Sequence, residues 1–475
     1  MARDYIQDGV RTHEVFRPGS TKRIEVELPQ KHRRLPQLPP FLTIALGFVA
    51  IILVGAILLS LPFARTEEGS APFMTALFTA TSAISGTGLA VVETGEYWSV
   101  AGQVIIMLLL QLGAFGFMCS SSLLLILLGK RIGIRERTLT RQSLDMTEDQ
   151  SLSSIMYQIL VFTAVSEAAG MLLLFIGFSR YFTTGKALWY AVFLTVSAFT
   201  NGGMDIFGTG DSLTAFCNDP LILITIAIVA ILGAISFIVV ADCFLRGRGK
   251  RMHIDTKIVL VMTVLLIIIG TLLFFFVEGN NPATLGSYPP GEKLLMSFFH
   301  SAVTRTAGFS VMDFSEIKSL TILVFVVLMS FGGVAGSTCG GIKINNIGLI
   351  LFATISTLKG HEHPHAFGKE LSSSQVYKAM AITLIYFIAG LIITMLLLLT
   401  DGNMSFSELF FESYSALGTV GSSMGITASL SAPGRIIIMI VMFSGRLGPM
   451  TIASILMSRN KYSQFRYPVE FIRMG

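Results

Sequence analysis

The sequence predicts an all-α integral membrane protein: four helix–pore-loop–helix repeats in a pseudo-fourfold arrangement, with about eight transmembrane helices plus four pore helices. Three observations carry that expectation. Apolar blocks are long enough to cross a bilayer, basic residues keep to alternate connections, and a short segment ending in glycine recurs four times between the blocks.

The chain has 475 residues, of which 52% are hydrophobic and 13% charged, with a mean hydropathy of +0.71. These values lie far from a soluble average, so a length that would suit two or three soluble domains goes into membrane helices instead. Blocks at 41–62, 99–128, 154–178 and 221–245 each exceed the roughly 18 residues that mark a membrane helix. Further blocks occupy 258–277, 320–331, 344–358, 376–400 and 434–458. Hydrocarbon cannot satisfy backbone amides, so such blocks must be helical. The first 40 residues are polar and basic and end in Leu35-Pro36-Gln37-Leu38-Pro39-Pro40, unlike a cleavable signal peptide. The first membrane helix is therefore expected to stay and to set the topology. Cys119, Cys217, Cys243 and Cys339 form no Cys-x-x-Cys pair and read as packing residues.

Charge orients the spans. Arg17, Lys22, Arg23, Lys31, Arg33 and Arg34 precede the first block, Lys130 to Arg141 follow the second, and Arg246, Arg248, Lys250 and Arg251 form a third cluster. Lys359, Lys369 and Lys378 mark another connection, and Arg459, Lys461, Arg466 and Arg473 mark the tail. The intervening loops carry acids such as Glu67, Glu93, Asp205, Asp219, Glu278 and Asp313. By the positive-inside rule both termini are cytoplasmic and the spans come in pairs. The net charge of +5 is thus a topology signal, and no basic soluble face offers a nucleic-acid surface. The expected organisation is a cytoplasmic N-terminal segment (1–40), repeat 1 (41–130), repeat 2 (154–246), repeat 3 (256–358) and repeat 4 with a short cytoplasmic tail (376–475).

Within each pair lies a segment too short to cross the membrane, in which a phenylalanine is followed ten positions later by a glycine. The four run Phe78 to Gly88, Phe193 to Gly203, Phe298 to Gly308 and Phe411 to Gly421. Each carries a Ser-Ala pair at its middle, shifted by one residue in the third, and the glycines recur about every 105 to 115 residues. Half of such a segment suits a short helix; the Gly/Thr-rich half must be irregular, which at membrane depth is tolerated only inside protein or along a wet cavity. Four copies around one axis would aim backbone carbonyls inward, where they can replace the hydration shell of a potassium ion. The negative ends of the short helices would point at the same ion. The candidate filter residues are Gly86, Thr87, Gly88, Asn201, Gly202, Gly203, Thr306, Ala307, Gly308, Thr419, Val420 and Gly421.

With these segments in hand, the chain resembles the superfamily of bacterial Trk/Ktr, fungal Trk and plant HKT potassium transporters, most closely the membrane subunit of Ktr systems. The resemblance runs from about residue 41 to the end and is strongest in Thr304-Arg305-Thr306-Ala307-Gly308-Phe309 and in 332–343. It implies potassium selectivity, because Gly88, Gly203, Gly308 and Gly421 fill all four filter positions. It also implies a homodimer in a bacterial plasma membrane, seated on a cytosolic RCK-type ring subunit that binds nucleotide. Sodium transport or sodium–potassium coupling is the alternative on the same fold. No cofactor is expected in this chain: potassium is the transported ion, and sodium is a candidate activator.

The second span of the third repeat is interrupted over 331–343, where five glycines would each cost a continuous helix about 1 kcal/mol relative to alanine. An irregular loop is the better reading. By resemblance it is an intramembrane gate formed by Gly332, Gly333, Gly336, Ser337, Thr338, Gly340, Gly341 and Lys343, opposed by Arg446 from the last apolar block. An intramembrane arginine is costly and therefore a functional candidate, here an electrostatic barrier near the cytoplasmic side. Arg305 is expected to brace the filter from behind, since a positive charge on the axis would repel cations.

Several residues read as structural. Glu167 and Glu412 suit neutral or hydrogen-bonded roles, and His300 suits packing in a pore helix. His361-Glu362-His363-Pro364-His365 lacks the spacing of a metalloprotease helix and reads as a cytoplasmic loop. Gly421-Ser-Ser-Met-Gly425 matches a hydrolase pattern without the strand–turn–helix context that it needs, and Gly210-Asp211-Ser212-Leu213 falls in an outer loop. No catalytic constellation occurs, so the chain is not expected to be an enzyme; with no phosphate-binding loop or dinucleotide fingerprint, energy is expected from the ion gradients or control from another subunit. The 130–141 and 246–257 connections and the basic N-terminal segment are the candidate docking surfaces for a regulator.

Overall fold

The computed structural model describes residues 3–7, 10–14, 26–27, 40–118, 152–208, 212–244, 252–305 and 307–448. The chain divides into two compact units, Met1–Thr43 and Ile44–Gly475. The first contains a small antiparallel sheet, β1 (Arg3–Gln7), β2 (Val10–Glu14) and β3 (Val26–Glu27), in the order β1-β2-β3. This sheet is an addition to the all-α expectation.

The helices of the larger unit follow one pattern. Repeat 1 is α1 (Pro40–Ser60), the short helix α2 (Phe73–Ser85), the single turn α3 (Thr94–Tyr97) and α4 (Val100–Met118). Next come α5 (Leu152–Phe178), the short α6 (Thr184–Phe199), α7 (Pro220–Ala234) and α8 (Phe237–Phe244). Repeat 3 is α9 (Ile254–Glu278), the short α10 (Pro290–Val303), α11 (Ser319–Ser330) and α12 (Ile344–Leu358). A two-stranded turn, β4 (His365–Ala366) and β5 (Lys369–Glu370), leads to α13 (Ser373–Thr400), the short α14 (Phe406–Gly418) and α15 (Ala432–Leu447).

Among the described residues three helical stretches, Met156–Phe178, Ile254–Glu278 and Ser373–Thr400, are long and apolar enough to cross a membrane unaided. A fourth candidate is the pair Pro220–Ala234 and Phe237–Cys243, bent by 96°. The sequence treats 221–245 as one apolar block, and the structure breaks it at Ile235 and Ser236. Apolar composition continues through the break, but Ser236 starts a new turn, its carbonyl accepting from Val239 N at 3.0 Å. The glycine-rich 331–343 stretch likewise separates α11 from α12.

Burial is arranged for lipid. The long helices expose Val264, Ile268, Leu384, Ile388 and Met395, whereas Ser82, Ser197, Ser301, Ser415 and Thr338 are buried. A water-soluble fold sorts these residue types the other way; this is the distribution of a multi-pass membrane protein. Carboxylates fasten the ends of the spans. Glu278 accepts from Lys318 N at 2.9 Å, Asn281 Nδ2 at 2.7 Å, Thr284 Oγ1 at 2.7 Å and the Thr321 hydroxyl, so it ties α9 to α11. Asp401 accepts from Ser431 N at 2.7 Å and Ser431 Oγ at 3.0 Å, and so ties α13 to α15.

The contacts between repeats form a closed circuit. The helix after each short helix packs on the short helix of the next repeat: α4 on α6, α7 on α10, α11 on α14, and α15 back on α2.

Candidate ion pathway

Each short helix ends in a chain reversal that its own sequence enforces. Gly86, Asn201 and Thr419 take left-handed backbone angles (φ 60°, 55° and 53°), and the glycines two positions later have φ of 92°, 63° and 92°. Gly308 has φ 63°, while Thr306 lies outside the described residues. The serine of the Ser-Ala pair holds the reversal. Its carbonyl accepts from the residue before the glycine, Thr87 N to Ser82 O at 2.9 Å, Gly202 N to Ser197 O at 2.8 Å and Val420 N to Ser415 O at 2.9 Å. Its hydroxyl then accepts from Gly88 N or Gly421 N at 3.1 Å, or in repeat 2 donates to Met204 O at 2.7 Å. The one-residue shift in repeat 3 has a consequence: Ser301 Oγ donates to Ile267 O on α9 at 2.8 Å instead.

The four reversals meet. A Cβ placed on Gly88 would collide with the carbonyl oxygen of Gly202, one on Gly203 with that of Ala307, one on Gly308 with that of Val420, and one on Gly421 with that of Thr87. Every glycine thus abuts the carbonyl preceding the next repeat's glycine, and the fourth closes on the first. Only glycine offers both the positive φ and the absent side chain that this ring requires.

The 331–343 loop lies against this ring. Gly332 N donates to Ile342 O at 2.9 Å and Ile342 N to Ser330 O at 3.1 Å, which closes its base. A Cβ at Gly340 would strike the Thr419 hydroxyl, and Gly340 N donates to Thr419 Oγ1 at 3.1 Å. Val334 N donates to Ala234 O at 3.0 Å and Thr338 N to Gly233 O at 3.2 Å. The break after α7 therefore frees the carbonyls that hold the loop. Thr338 Oγ1 donates to Gly233 O at 2.9 Å and accepts from Asn201 Nδ2 at 2.8 Å. Ser337 Oγ turns instead toward Cys339 N, at 3.4 Å.

Residues 40–464 match the TrkH family of cation transport proteins. The chain belongs to the TrkH family. It is 37% identical to the Ktr system potassium uptake protein B of Vibrio alginolyticus over 91% of this chain and 94% of that one. Identity is 34% to the potassium/sodium uptake protein NtpJ of Enterococcus hirae, over 94% and 99% of the two chains. The crystal structure of the potassium transporter TrkH from Vibrio parahaemolyticus superposes with a TM-score of 0.67 at 20% identity, covering 91% of this chain and 87% of that one, so the two share a fold. The protein is a Trk/Ktr cation transporter of the Ktr membrane-subunit type, and not an enzyme.

In this TrkH-family chain two cations grip the loop. Arg446, 4% exposed, donates from Nη1 to Thr338 O, and Lys343 Nζ donates to Cys339 O at 2.5 Å. Arg446 also stands beside the first reversal, its Nη1 3.3 Å from the place of a Gly86 Cβ. Arg305 is 2% exposed, and its Nε and Nη1 make no hydrogen bond among the described residues. Glu412 is fully buried behind the fourth reversal and accepts from the Thr427 hydroxyl. His300 is fully buried, with edge-on ring contacts to Phe274, Phe299, Phe314 and Phe325 and no hydrogen bond to either ring nitrogen among the described residues.

His361 and His365 stack edge to face at 4.5 Å, and His363 lies 3.7 Å from Glu370. No group of three or more metal-ligating side chains forms among the described residues. Residues 130–141 and 246–251 lie outside the described residues, as does Cys119.

Sequence reasoning missed four residues that position the loop. Asn201 was visible only as a filter residue; its side chain reaches Thr338. The carbonyls of Gly233 and Ala234 left no sequence signal beyond the glycine itself. Asn345 bridges Ala335 N, at 3.4 Å, to Asp255 Oδ1, at 2.5 Å, and so joins the loop to the start of α9.

Proposed function

We propose that this chain mediates potassium uptake through a filter made of four pseudo-fourfold pore loops, with 331–343 as an intramembrane gate. The observation that carries the reading is the closed ring in which Gly88, Gly203, Gly308 and Gly421 each abut the carbonyl of the neighbouring repeat. The circuit of helix contacts around the four repeats supports it. In such a ring the carbonyls of Gly86, Thr87, Gly88, Asn201, Gly202, Gly203, Thr306, Ala307, Gly308, Thr419, Val420 and Gly421 coordinate a dehydrated ion, a task for which no acidic side chain is needed. Uptake runs down the electrochemical gradient; a potential of about −100 mV supplies about 2.3 kcal/mol per charge.

The protein sits in a bacterial plasma membrane with both termini in the cytoplasm, as a homodimer whose gate is controlled by a separate nucleotide-binding ring subunit. The name of its Vibrio alginolyticus relative, protein B of a Ktr system, supports an assembly of more than one chain. A second reading, sodium conduction or sodium dependence, is favoured by the potassium/sodium designation of the Enterococcus hirae relative. The deciding experiment compares potassium and sodium uptake in a potassium-uptake-deficient bacterium carrying this chain, Gly88→Ser or Gly421→Ser. Selective potassium rescue that weakens or opens to sodium in either variant supports the filter. Rescue indifferent to both substitutions overturns it.

A further inference from the structure

One carboxyl group, Glu167, falls near the middle of an apolar helix and outside the four reversals and the 331–343 loop. Glu167 is eleven residues from the end of α5 at Phe178, and Gln111 is eleven residues from the start of α4 at Val100. At 1.5 Å per residue both sit about 16 Å below the outer ends of their helices, close to half of a hydrocarbon core of about 30 Å. Their side chains meet: Gln111 Nε2 donates to Glu167 Oε1 at 2.9 Å. Both residues are only half-buried, and the positions around them, Leu108, Val165 and Leu172, are 54%, 63% and 59% exposed on the lipid side.

Depth alone favours the neutral acid, and the amide oxygen of its partner fits that form. Gln111 Oε1 is buried and has no hydrogen-bond partner among the described residues. An ionised carboxylate could offer it nothing, since it only accepts, and would stand uncompensated in hydrocarbon. A carboxylic acid would donate its O–H to that oxygen and complete a two-point acid–amide pair. Among the described residues Glu167 forms no salt bridge, and its side-chain hydrogen bond is to Gln111. The other acids differ. Glu412 is fully buried, whereas Glu278 and Asp401 each accept three or more hydrogen bonds at the helix ends.

We propose that Glu167 is a protonated, lipid-reachable carboxyl that joins repeat 1 to repeat 2 through Gln111, and that it is a modification site for membrane-soluble carboxyl reagents of the carbodiimide class. The acid proton moves to a carbodiimide nitrogen and the carboxyl oxygen bonds the central carbon. An oxygen-to-nitrogen acyl shift then leaves a stable N-acylurea; nothing is oxidised, and no group departs. The inference does not depend on which ion the chain carries.

The test treats vesicles containing the full chain with dicyclohexylcarbodiimide or with a cationic water-soluble carbodiimide and maps adducts by peptide mass. The expected result is an adduct at Glu167, formed about tenfold more by the lipophilic reagent because a charged one is excluded from hydrocarbon. Glu167→Gln loses that adduct. An absent adduct at Glu167, or equal labelling by both reagents, overturns the proposal. Because the mapping is done on the unaltered chain, it stands even if the variant fails to fold. Gln111→Leu gives a second check: the acid loses its partner but stays in lipid, so labelling persists, and its disappearance would contradict a carboxyl that is neutral by virtue of its depth.

Discussion

Asn201 and Thr338 are 137 positions apart in sequence, and the Asn201 side-chain amide donates to the Thr338 hydroxyl at 2.8 Å. One residue belongs to the reversal that ends α6 and the other to the 331–343 loop, so on the proposed reading a change at the gate would be felt at the filter. Thr338→Val keeps the shape and removes the hydroxyl's hydrogen bonds to Asn201 Nδ2, Gly233 O and Phe199 O. Each bond is worth about 0.5–1.5 kcal/mol net. The expected outcome is a looser loop and a higher basal potassium uptake, read as tracer influx in cells lacking other uptake systems. Influx unchanged at equal expression would mean that the tie is structural packing alone.

Arg446 holds the same loop from the opposite side, through the Thr338 carbonyl. On the proposed reading its positive charge opposes a permeating cation. Arg446→Gln retains an amide donor for the carbonyl while removing the charge. The maximal uptake rate should rise about tenfold, which corresponds to about 1.4 kcal/mol off the barrier, with the concentration for half-maximal uptake little changed. A fall in rate at normal expression would identify Arg446 as a brace and not a barrier.

The shifted Ser-Ala pair of repeat 3 separates two roles for one residue type. Ser82 and Ser415 accept from the amides of Gly88 and Gly421, whereas Ser301 donates to Ile267 O on α9. Removing a hydroxyl that orients a filter amide costs about 1 kcal/mol. Ser82→Ala and Ser415→Ala should therefore lower the potassium-to-sodium uptake ratio by about fivefold. Ser301→Ala should leave that ratio intact and lower the thermal unfolding midpoint in detergent. Equal loss of selectivity in all three would refute the division.

What was legible in the sequence follows from which forces leave marks in composition. Block length records the solvent directly, so the membrane class could be read without coordinates, and so could the four glycine positions. Gly88, Gly203, Gly308 and Gly421 were visible because a missing side chain is itself the signal. The break at Ile235 and Ser236 was not, because its cause is tertiary: Val334 and Thr338 need the carbonyls of Ala234 and Gly233, and the apolar run shows no gap where they are released. Nor could Gln111 and Glu167 be paired, or Asn345 be linked to Asp255, since each polar residue is visible alone and its partner is chosen by helix packing.

Gly233 carries the last of these hidden constraints. Its carbonyl accepts from both Thr338 N and Thr338 Oγ1. A Cβ at this position would collide with Phe199 O at the end of α6 and stand 2.8 Å from Asn201 Nδ2. Neither the backbone oxygen nor the hydrogen-bonded amide can yield cheaply, and overpacking of this kind costs about 1–3 kcal/mol. In Gly233→Ala the reversal at Asn201 and the 331–343 loop must therefore move together. The expected phenotype is a chain that still reaches the membrane but loses potassium uptake and selectivity jointly, measured by paired potassium and sodium influx at matched protein level. If uptake fell while the ratio of the two ions stayed at its original value, the filter would be indifferent to α7. The coupling through Asn201 would then have to be abandoned.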